Sequence, residues 1–264
     1  MTDADAVLAD LAAESDQLDG WVSDLDDDGW KVVTTPEGWT VAHQIAHLMW
    51  TDRASLAAIA AGEEWEALVA TAQADPFGFV DSEAERLVEI APESMLHHWR
   101  DSRQRLADAL AGVPKGEKVA WFGPPMSATS MATARLMETW AHAHDVAEAL
   151  GVEVPRTDRV RHVCHLGVRT RGFAYLMRGQ EAPDAEIRVE LTAPSGELWT
   201  WGPEDAENRV TGDAWGFALL GTRRRHRVDV DVRAEGEAAD DWLNVVQTFA
   251  GLPGNDPLPL SERG

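Results

Sequence analysis

The fold of this chain is decided by two short segments, GWTVAHQIAHL at residues 38–48 and ETWAHAHD at residues 138–145. The first places His43 and His47 four residues apart, and the second places Glu138 and His142 at the same spacing. Side chains at positions i and i+4 share one face of an α-helix. Two such helices side by side would direct imidazoles and a carboxylate at one point, which is how a metal site is built in the core of a helical bundle.

Apolar spacing outward from these segments predicts four long helices in the first part of the chain. They cover 4–25, 41–61, 92–111 and 128–150, with Thr40 as the cap of the second helix and Pro92 in the first turn of the third. Residues 64–90 are mixed in character, with a helix predicted over 82–90. Residues 114–127 contain Trp121 and Phe122 and predict a long loop that shapes a pocket. Four long helices are typical of a bundle.

The character of the sequence changes after Pro155, where a second domain is predicted. The pattern favours helices over 161–178, 213–220 and 238–250, and strands over 187–191, 198–201 and 228–232. We therefore predict an α+β protein of two domains. Residues 1–153 form a four-helix bundle, and residues 154–264 form an α+β domain with an antiparallel sheet.

Charge and composition exclude several classes of partner. A formal net charge of -23 disfavours nucleic acid and an anionic membrane surface, because both require an excess of Lys and Arg. The single cysteine, Cys164, cannot form an intramolecular disulfide, and its apolar surroundings favour a buried structural thiol over a nucleophile. The acidic N-terminus lacks the features of a signal peptide, and no apolar run approaches a membrane span, so we expect a cytoplasmic protein.

The two spaced pairs favour a catalytic metal site. His47, Glu138 and His142 offer two imidazoles and one carboxylate, and three protein ligands leave positions open for water or substrate. This set fits zinc, and nickel, iron and manganese remain open. With nine histidines in the chain, such pairs also arise by chance. His43 lies on the face of His47, one turn earlier, and Asp145 is a candidate acceptor for a ligand histidine.

Two further groups of residues are candidates for binding substrate or cofactor. The run Arg223-Arg224-Arg225-His226-Arg227 is either a solvated edge or a clamp for an anionic group. Trp50 and Trp140 lie close in sequence to the candidate ligands and are candidates for the wall of a pocket.

The two segments resemble the second-helix and fourth-helix motifs of the mycothiol-dependent maleylpyruvate isomerase family, a branch of the DinB-like metalloproteins. The resemblance implies that His47, Glu138 and His142 are the metal ligands of a DinB-like bundle. The stretch 210–225 is similar to the strand–helix segment of a domain like sterol carrier protein 2 (SCP2), which implies an SCP2-like second domain. The sequence around Trp199-Thr200-Trp201 and the arginine run resemble an uncharacterised actinobacterial subgroup more than the isomerase itself.

The resemblance implies an enzyme in which a divalent metal activates mycothiol, a low-molecular-weight thiol cosubstrate, for attack on a small electrophile. We therefore predict a transferase or isomerase with His43, Arg223 and Arg224 as catalytic residues and with Trp50 and Trp140 against the cofactor. The partners are a small-molecule substrate and the thiol, without nucleic acid or membrane, and a homodimer is compatible with the sequence. The alternatives are a hydrolase with metal-activated water and a non-enzymatic metalloprotein that binds a small ligand.

Overall fold

The computed structural model describes residues 3–249 and 251–262. The chain forms two compact units, Met1–Val154 and Pro155–Gly264, each with its own set of secondary-structure elements. The boundary predicted from the sequence lies one residue earlier. Within the described residues, no helix combines the length and apolar character needed to cross a membrane.

The first unit is built on four long helices. These are α1 (Asp3–Val22), α2 (Val41–Ala60), α5 (Pro92–Gly112) and α6 (Ala128–Leu150), with the shorter α3 (Glu63–Ala74) and α4 (Phe79–Leu87) between the second and third of them. Helix α2 packs against both α5 and α6, and α1 packs against α6. Helices α2 and α6, which carry the two segments of interest, are therefore neighbours in the bundle.

The ends of the two central helices follow local rules. Ser127 precedes α6, and its hydroxyl accepts a hydrogen bond from the backbone N–H of Ser130, which satisfies one of the free donors of the first turn. Helix α6 ends at Gly151, whose φ of 66° is the left-handed conformation that glycine adopts without strain. Helix α2 begins after Thr40, as the sequence predicts.

The bundle core is made of apolar side chains contributed by all four long helices. Ile45, Leu48 and Met49 of α2 are fully buried, and they belong to one cluster with Leu18 of α1 and Trp99 of α5. Because α2 is buried along most of its length, it lies in the centre of the unit, and polar side chains on its inner face are withdrawn from solvent.

The segment between α2 and α5 differs from the sequence-based prediction. Residues predicted as mixed contain the helix Glu63–Ala74, and the helix predicted over 82–90 is instead Phe79–Leu87. The predicted loop over 114–127 is present, and an isolated β-bridge joins Val119 and Met126 within it.

The second unit has the α+β architecture predicted from the sequence. Its elements are α7 (Val160–Arg169), α8 (Arg171–Leu176), β1 (Ile187–Thr192), β2 (Leu198–Trp201), β3 (Asn208–Asp213), α9 (Ala214–Gly221), β4 (Val232–Glu235) and α10 (Glu237–Val245). The strand order is β2-β1-β3-β4. Strands β1 and β3 pair in parallel, so the sheet is mixed and not wholly antiparallel as predicted.

Three elements of this unit differ from the prediction, and the first of them, the helix predicted over 161–178, is divided into α7 and α8. The strand predicted over 228–232 is wrong, because Arg227–Asp229 form a 3-10 turn and the strand begins at Val232. The alternation of valines there does not reflect a buried face, since Val228 is exposed. The last helix, α10, ends at Val245 and not near residue 250, and Ala250 itself lies outside the described residues.

Candidate metal centre

Helices α2 and α6 bring three candidate metal ligands together. The Nε2 atoms of His47 and His142 each lie 3.3 Å from Oε2 of Glu138. The ligand atoms of the three residues all lie within 4.8 Å of one another, and the two imidazole rings are 4.6 Å apart between centroids. Side chains separated by 91 residues in sequence thus converge on one point inside the bundle.

The spacing of these atoms fits a divalent ion. Nitrogen and oxygen ligands lie about 2.0–2.2 Å from zinc, so two ligands of a tetrahedral site are separated by roughly 3.4 Å. The two 3.3 Å separations in this group are close to that value. The side chain of Glu138 retains 24% of its solvent exposure, so the group is reached from solvent, as an open site requires.

A chain of hydrogen bonds fixes which nitrogen of His142 is free to bind a metal. The hydroxyl of Thr34 donates to the carbonyl of Trp39, so it accepts from the amide of Gln44 at 2.7 Å. The Gln44 amide oxygen therefore faces Nδ1 of His142, which must carry the proton. The lone pair of His142 is then on Nε2, the atom that faces Glu138, and this is the tautomer that binds a metal through Nε2.

The carboxylate of Glu138 is held in its charged form. Burial alone would raise its pKa. Without an ion, protonated His142 and His47 hydrogen-bond to the carboxylate, and these bonds and their charges lower the pKa well below its usual value; a bound cation takes the place of those protons. A carboxylate that stays ionised is the form that binds a cation. Asp145, the other acidic candidate on this helix, is buried, with an oxygen 3.8 Å from Nδ1 of His142.

His43 does not join the three ligand atoms. Its Nδ1 accepts a hydrogen bond from the backbone N–H of Thr40 at 3.2 Å, and its Nε2 lies 2.9 Å from a carboxylate oxygen of Glu85. Both ring nitrogens are therefore engaged, one with the start of α2 and the other with α4. Its predicted catalytic role stays a prediction, and in this structure it lies at the edge of the centre.

Trp39 is absent from the sequence-based candidates, although its ring lies against both imidazoles of the group. Its ring is stacked on that of His142, with centroids 5.9 Å apart, and lies 5.4 Å from the ring of His47. The indole N–H donates to Asp81 of α4 at 3.2 Å. Trp39 is in the loop before α2, where helical spacing gives no information, so no pattern in the sequence marks it.

The two tryptophans predicted to line a pocket are placed differently. Trp50 is buried one turn after His47, with ring centroids 6.1 Å apart. Trp140 lies between Glu138 and His142 in sequence and faces another side of α6, where its ring contacts that of His144 at 3.9 Å. The structure therefore brings Trp50 to the candidate centre and does not bring Trp140 there.

The arginines and the cysteine singled out in the sequence belong to the second unit. Arg223 has a φ of 62° and forms an ion pair with Asp256, and Arg224 donates to the carbonyl of Thr222 at 2.7 Å. Cys164 is buried, and its thiol donates to the carbonyl of Ala214 at 3.2 Å. Burial raises the pKa of this thiol, which disfavours a nucleophilic role.

Two histidines and one glutamate that converge between two helices of a bundle are typical of bundle metalloproteins, so this chain is a candidate member of that class. Comparison with known sequences identifies the family. The model of the mycothiol maleylpyruvate isomerase N-terminal domain matches residues 11–147, more than half of the chain. The chain belongs to this family. A second model, named wyosine base formation, matches residues 183–234 in the second unit.

Relatives and solved structures agree with this assignment. Uncharacterised proteins of two strains of Mycobacterium tuberculosis are 52% identical over 254 residues, covering 96% of this chain and 99% of each relative. The crystal structure of the mycothiol-dependent maleylpyruvate isomerase and that of a histidine-to-alanine mutant of the same enzyme superpose with a TM-score of 0.59. They cover 88% of this chain and 92% of theirs, at 17% and 18% identity. These structures show that the fold is shared.

Proposed function

We propose that this chain is a divalent-metal-dependent enzyme that uses a low-molecular-weight thiol, mycothiol, to attack a small electrophilic metabolite. The single observation that carries the proposal is the convergence of His47, Glu138 and His142, with ligand atoms within 4.8 Å of one another. Membership of a family named for a mycothiol-dependent isomerase supports the thiol as cosubstrate.

Each residue of the centre has a defined part in this proposal. His47 and His142 would hold the ion through Nε2, and Glu138 would supply the negative charge that offsets it. A bound divalent ion lowers the pKa of a coordinated thiol, so a thiolate forms near neutral pH without a protein base. Gln44 holds His142 in the required tautomer, and Trp39 covers the imidazoles and restricts access of water.

The reaction class follows from the attack of a thiolate on carbon. Formation of the carbon–sulfur bond with loss of a leaving group transfers the thiol to the substrate. Reversible addition to a double bond, followed by rotation and loss of the thiol, isomerises the substrate. The protein's contribution in both cases is to position the thiolate and electrophile together. We propose zinc as the ion; nickel, iron and manganese bind the same kinds of ligand and are the alternatives.

The metal content of the purified protein tests the site. We expect about one ion per chain by mass spectrometry and its loss in Glu138→Gln and His142→Ala, with helical content unchanged in circular dichroism. The matched control is His98→Ala, because His98 is exposed on α5 and apart from the centre. Absence of metal from the parent protein, even after incubation with zinc, nickel or iron, would remove the basis of the proposal.

The thiol requirement is tested separately with the metal-loaded protein. Consumption of an electrophile that depends on both the metal and mycothiol supports the proposal. Turnover that needs the metal and proceeds at the same rate without thiol favours the hydrolase alternative, in which water takes the place of the thiol.

A further inference from the structure

One side of the candidate centre is walled by aromatic rings. Next to His47, the indole of Trp50 contacts the ring of Phe79 edge-on at 5.0 Å and lies parallel to that of Phe122 at 6.2 Å. Phe122 comes from the 114–127 loop and is 37% exposed, so this wall continues to the surface. With Trp39 on the imidazoles themselves, a molecule that approaches the centre meets aromatic faces on two sides.

The buried edge of this wall retains an unused donor. The indole nitrogen of Trp50 is buried and has no hydrogen-bond acceptor among the residues that the structure describes. A buried N–H without a partner is costly, so a group that supplies an acceptor there is favoured. A carbonyl or nitro oxygen attached to a ring provides such an acceptor together with a face for stacking.

The charges beside the centre oppose an anionic ligand. Asp81 accepts from the Trp39 indole, and Glu85 faces His43, so both carboxylates border the residues of the site. The basic side chain of the same helix, Arg86, is paired with Glu83 at 2.7 Å and does not offset them. The two positive charges of a bound divalent ion are balanced by the carboxylate of Glu138 and by the thiolate. An incoming carboxylate therefore meets two exposed charges of its own sign, those of Asp81 and Glu85.

We propose that this site accepts an uncharged electrophile carrying an aromatic or similarly flat apolar ring, and that it discriminates against carboxylate-bearing electrophiles. The proposal rests on the proposed function for its chemistry, since it assigns the substrate class of the same centre. The aromatic wall supplies the attraction, and Asp81 and Glu85 supply the discrimination.

A matched pair of probes separates the two classes. 1-Chloro-2,6-dinitrobenzene is neutral, and 4-chloro-3,5-dinitrobenzoate has the same ring substituents with a carboxylate added para to the chlorine. In each reaction the thiolate forms a carbon–sulfur bond at the chlorinated carbon, chloride leaves with the bonding pair, and the thiol proton passes to the buffer. With metal-loaded protein and mycothiol, we expect kcat/KM for the neutral probe to be higher by about tenfold or more, after correction for the uncatalysed rates.

Variants test which residues produce this preference. Asp81→Asn and Glu85→Gln keep hydrogen-bond acceptors while removing charge, and together they are expected to narrow the ratio of the two kcat/KM values severalfold. Asp108→Asn removes one exposed charge from the part of α5 that packs with the end of α2 away from His43 and His47, so it should leave the ratio unchanged. Equal rates for the two probes, or equal narrowing by Asp108→Asn, would overturn the proposal.

Binding of unreactive probes keeps this test separate from the test of the proposed function. Quenching of tryptophan fluorescence measures the affinity of metal-loaded protein with mycothiol for 1,3-dinitrobenzene and 3,5-dinitrobenzoate, which have no leaving group, so the thiolate offsets the ion and no turnover occurs. Tighter binding of the neutral probe, weakened by Phe122→Ala with metal content unchanged, supports the proposal. Equal or tighter binding of the benzoate contradicts it, even if thiol-dependent turnover is found.

Discussion

Gln44 links the sequence of α2 to the chemistry of His142 on α6. Its amide is fixed by Thr34 and presents oxygen to Nδ1 of His142, so a change at this one side chain alters which imidazole nitrogen carries the proton. Partners that orient a ligand histidine are commonly worth about 10–100-fold in metal affinity. Gln44 therefore matters to the centre although it touches no ion.

We expect Gln44→Leu to weaken zinc binding by about 10–100-fold while leaving the three ligands in place. The measurement is a competition titration against a chromophoric chelator. Gln104→Leu is the matched control, since Gln104 is exposed on α5 and bonds to Asp108. An unchanged affinity in Gln44→Leu would show that the tautomer of His142 is set by another group.

Spacing in the sequence was sufficient to bring His47, Glu138 and His142 together as candidates, because ligands four residues apart on helices share a face. It also places Gln44 on the face of His47, three residues earlier, but the sequence does not show that its amide reaches across to α6. The side-chain network depends on the lateral packing of α2 and α6. Trp39 precedes its helix, so no periodic rule fixes its direction.

Cys164 provides a second prediction at the level of one residue. Its thiol is fully buried and bonded to the carbonyl of Ala214, and burial raises its pKa, so thiolate is scarce in the native protein. We expect negligible reaction with Ellman's reagent at about pH 8 in the native state and one thiol per chain in urea. Rapid reaction of the native protein would contradict the burial of this side chain.

At the level of elements, α2 and α6 are joined by a buried ion pair close to the candidate metal ligands. The Nε of Arg135 lies 3.2 Å from a carboxylate oxygen of Asp52, and the side chains are 3% and 7% exposed. Arg135 also reaches the carbonyl of Leu48 at 3.5 Å. Because Arg135 is one turn before Glu138, the pair fixes the register that brings Glu138 to the histidines of α2.

Removing one partner of this pair is expected to be costly. Arg135→Met leaves the Asp52 carboxylate buried without its partner and should lower the free energy of unfolding by about 3–5 kcal/mol, measured by urea denaturation. The double variant Asp52→Ala/Arg135→Met should lose less than the single variant. Arg105→Met is the control, because Arg105 is in an exposed pair worth about 1 kcal/mol or less. Additive losses in the double variant would mean that the pair is not coupled.

The same pair makes the free energy of unfolding depend on pH, in a direction set by the pKa of Asp52. Burial raises the pKa of Asp52 above 3.8, against the charge and hydrogen bond of Arg135, which lower it. A carboxyl group with a raised folded pKa contributes stability below its unfolded pKa, and that contribution is lost as pH rises through the raised value. In Arg135→Met the pKa rises further, so the loss relative to the parent protein should be larger at about pH 8 than at about pH 5 by urea denaturation. A loss that is equal at both values would exclude this account.

The long helices were predictable because their capping residues and their apolar spacing indicate the same bounds, as Thr40 does at the start of α2 and Gly151 at the end of α6.

Helix α3 was not predicted because Pro76 and Gly78 follow it closely and because Trp65 is its only buried side chain, so its apolar face is weak. The strand predicted at 228–232 is wrong because the alternation of valines there does not mark a buried face, as the exposed side chain of Val228 shows. Parallel pairing of β1 and β3 depends on the path between them, which residue patterns do not encode.

At the level of the whole molecule, the candidate metal ligands and the single thiol lie in different compact units, so the effect of an added metal on the stability of each unit can be measured separately. An ion that binds only the folded first unit stabilises that unit by about 2.7 kcal/mol at a concentration roughly 100 times its Kd. We expect zinc to raise the midpoint temperature of thermal unfolding of the bundle, followed by its helical signal in circular dichroism, by roughly 5–10 °C.

The temperature at which Cys164 becomes reactive should stay unchanged by zinc, because the burial of this thiol depends on the second unit. Glu138→Gln should abolish the shift of the bundle. A parallel shift of Cys164 reactivity in the parent protein would show instead that the two units unfold together.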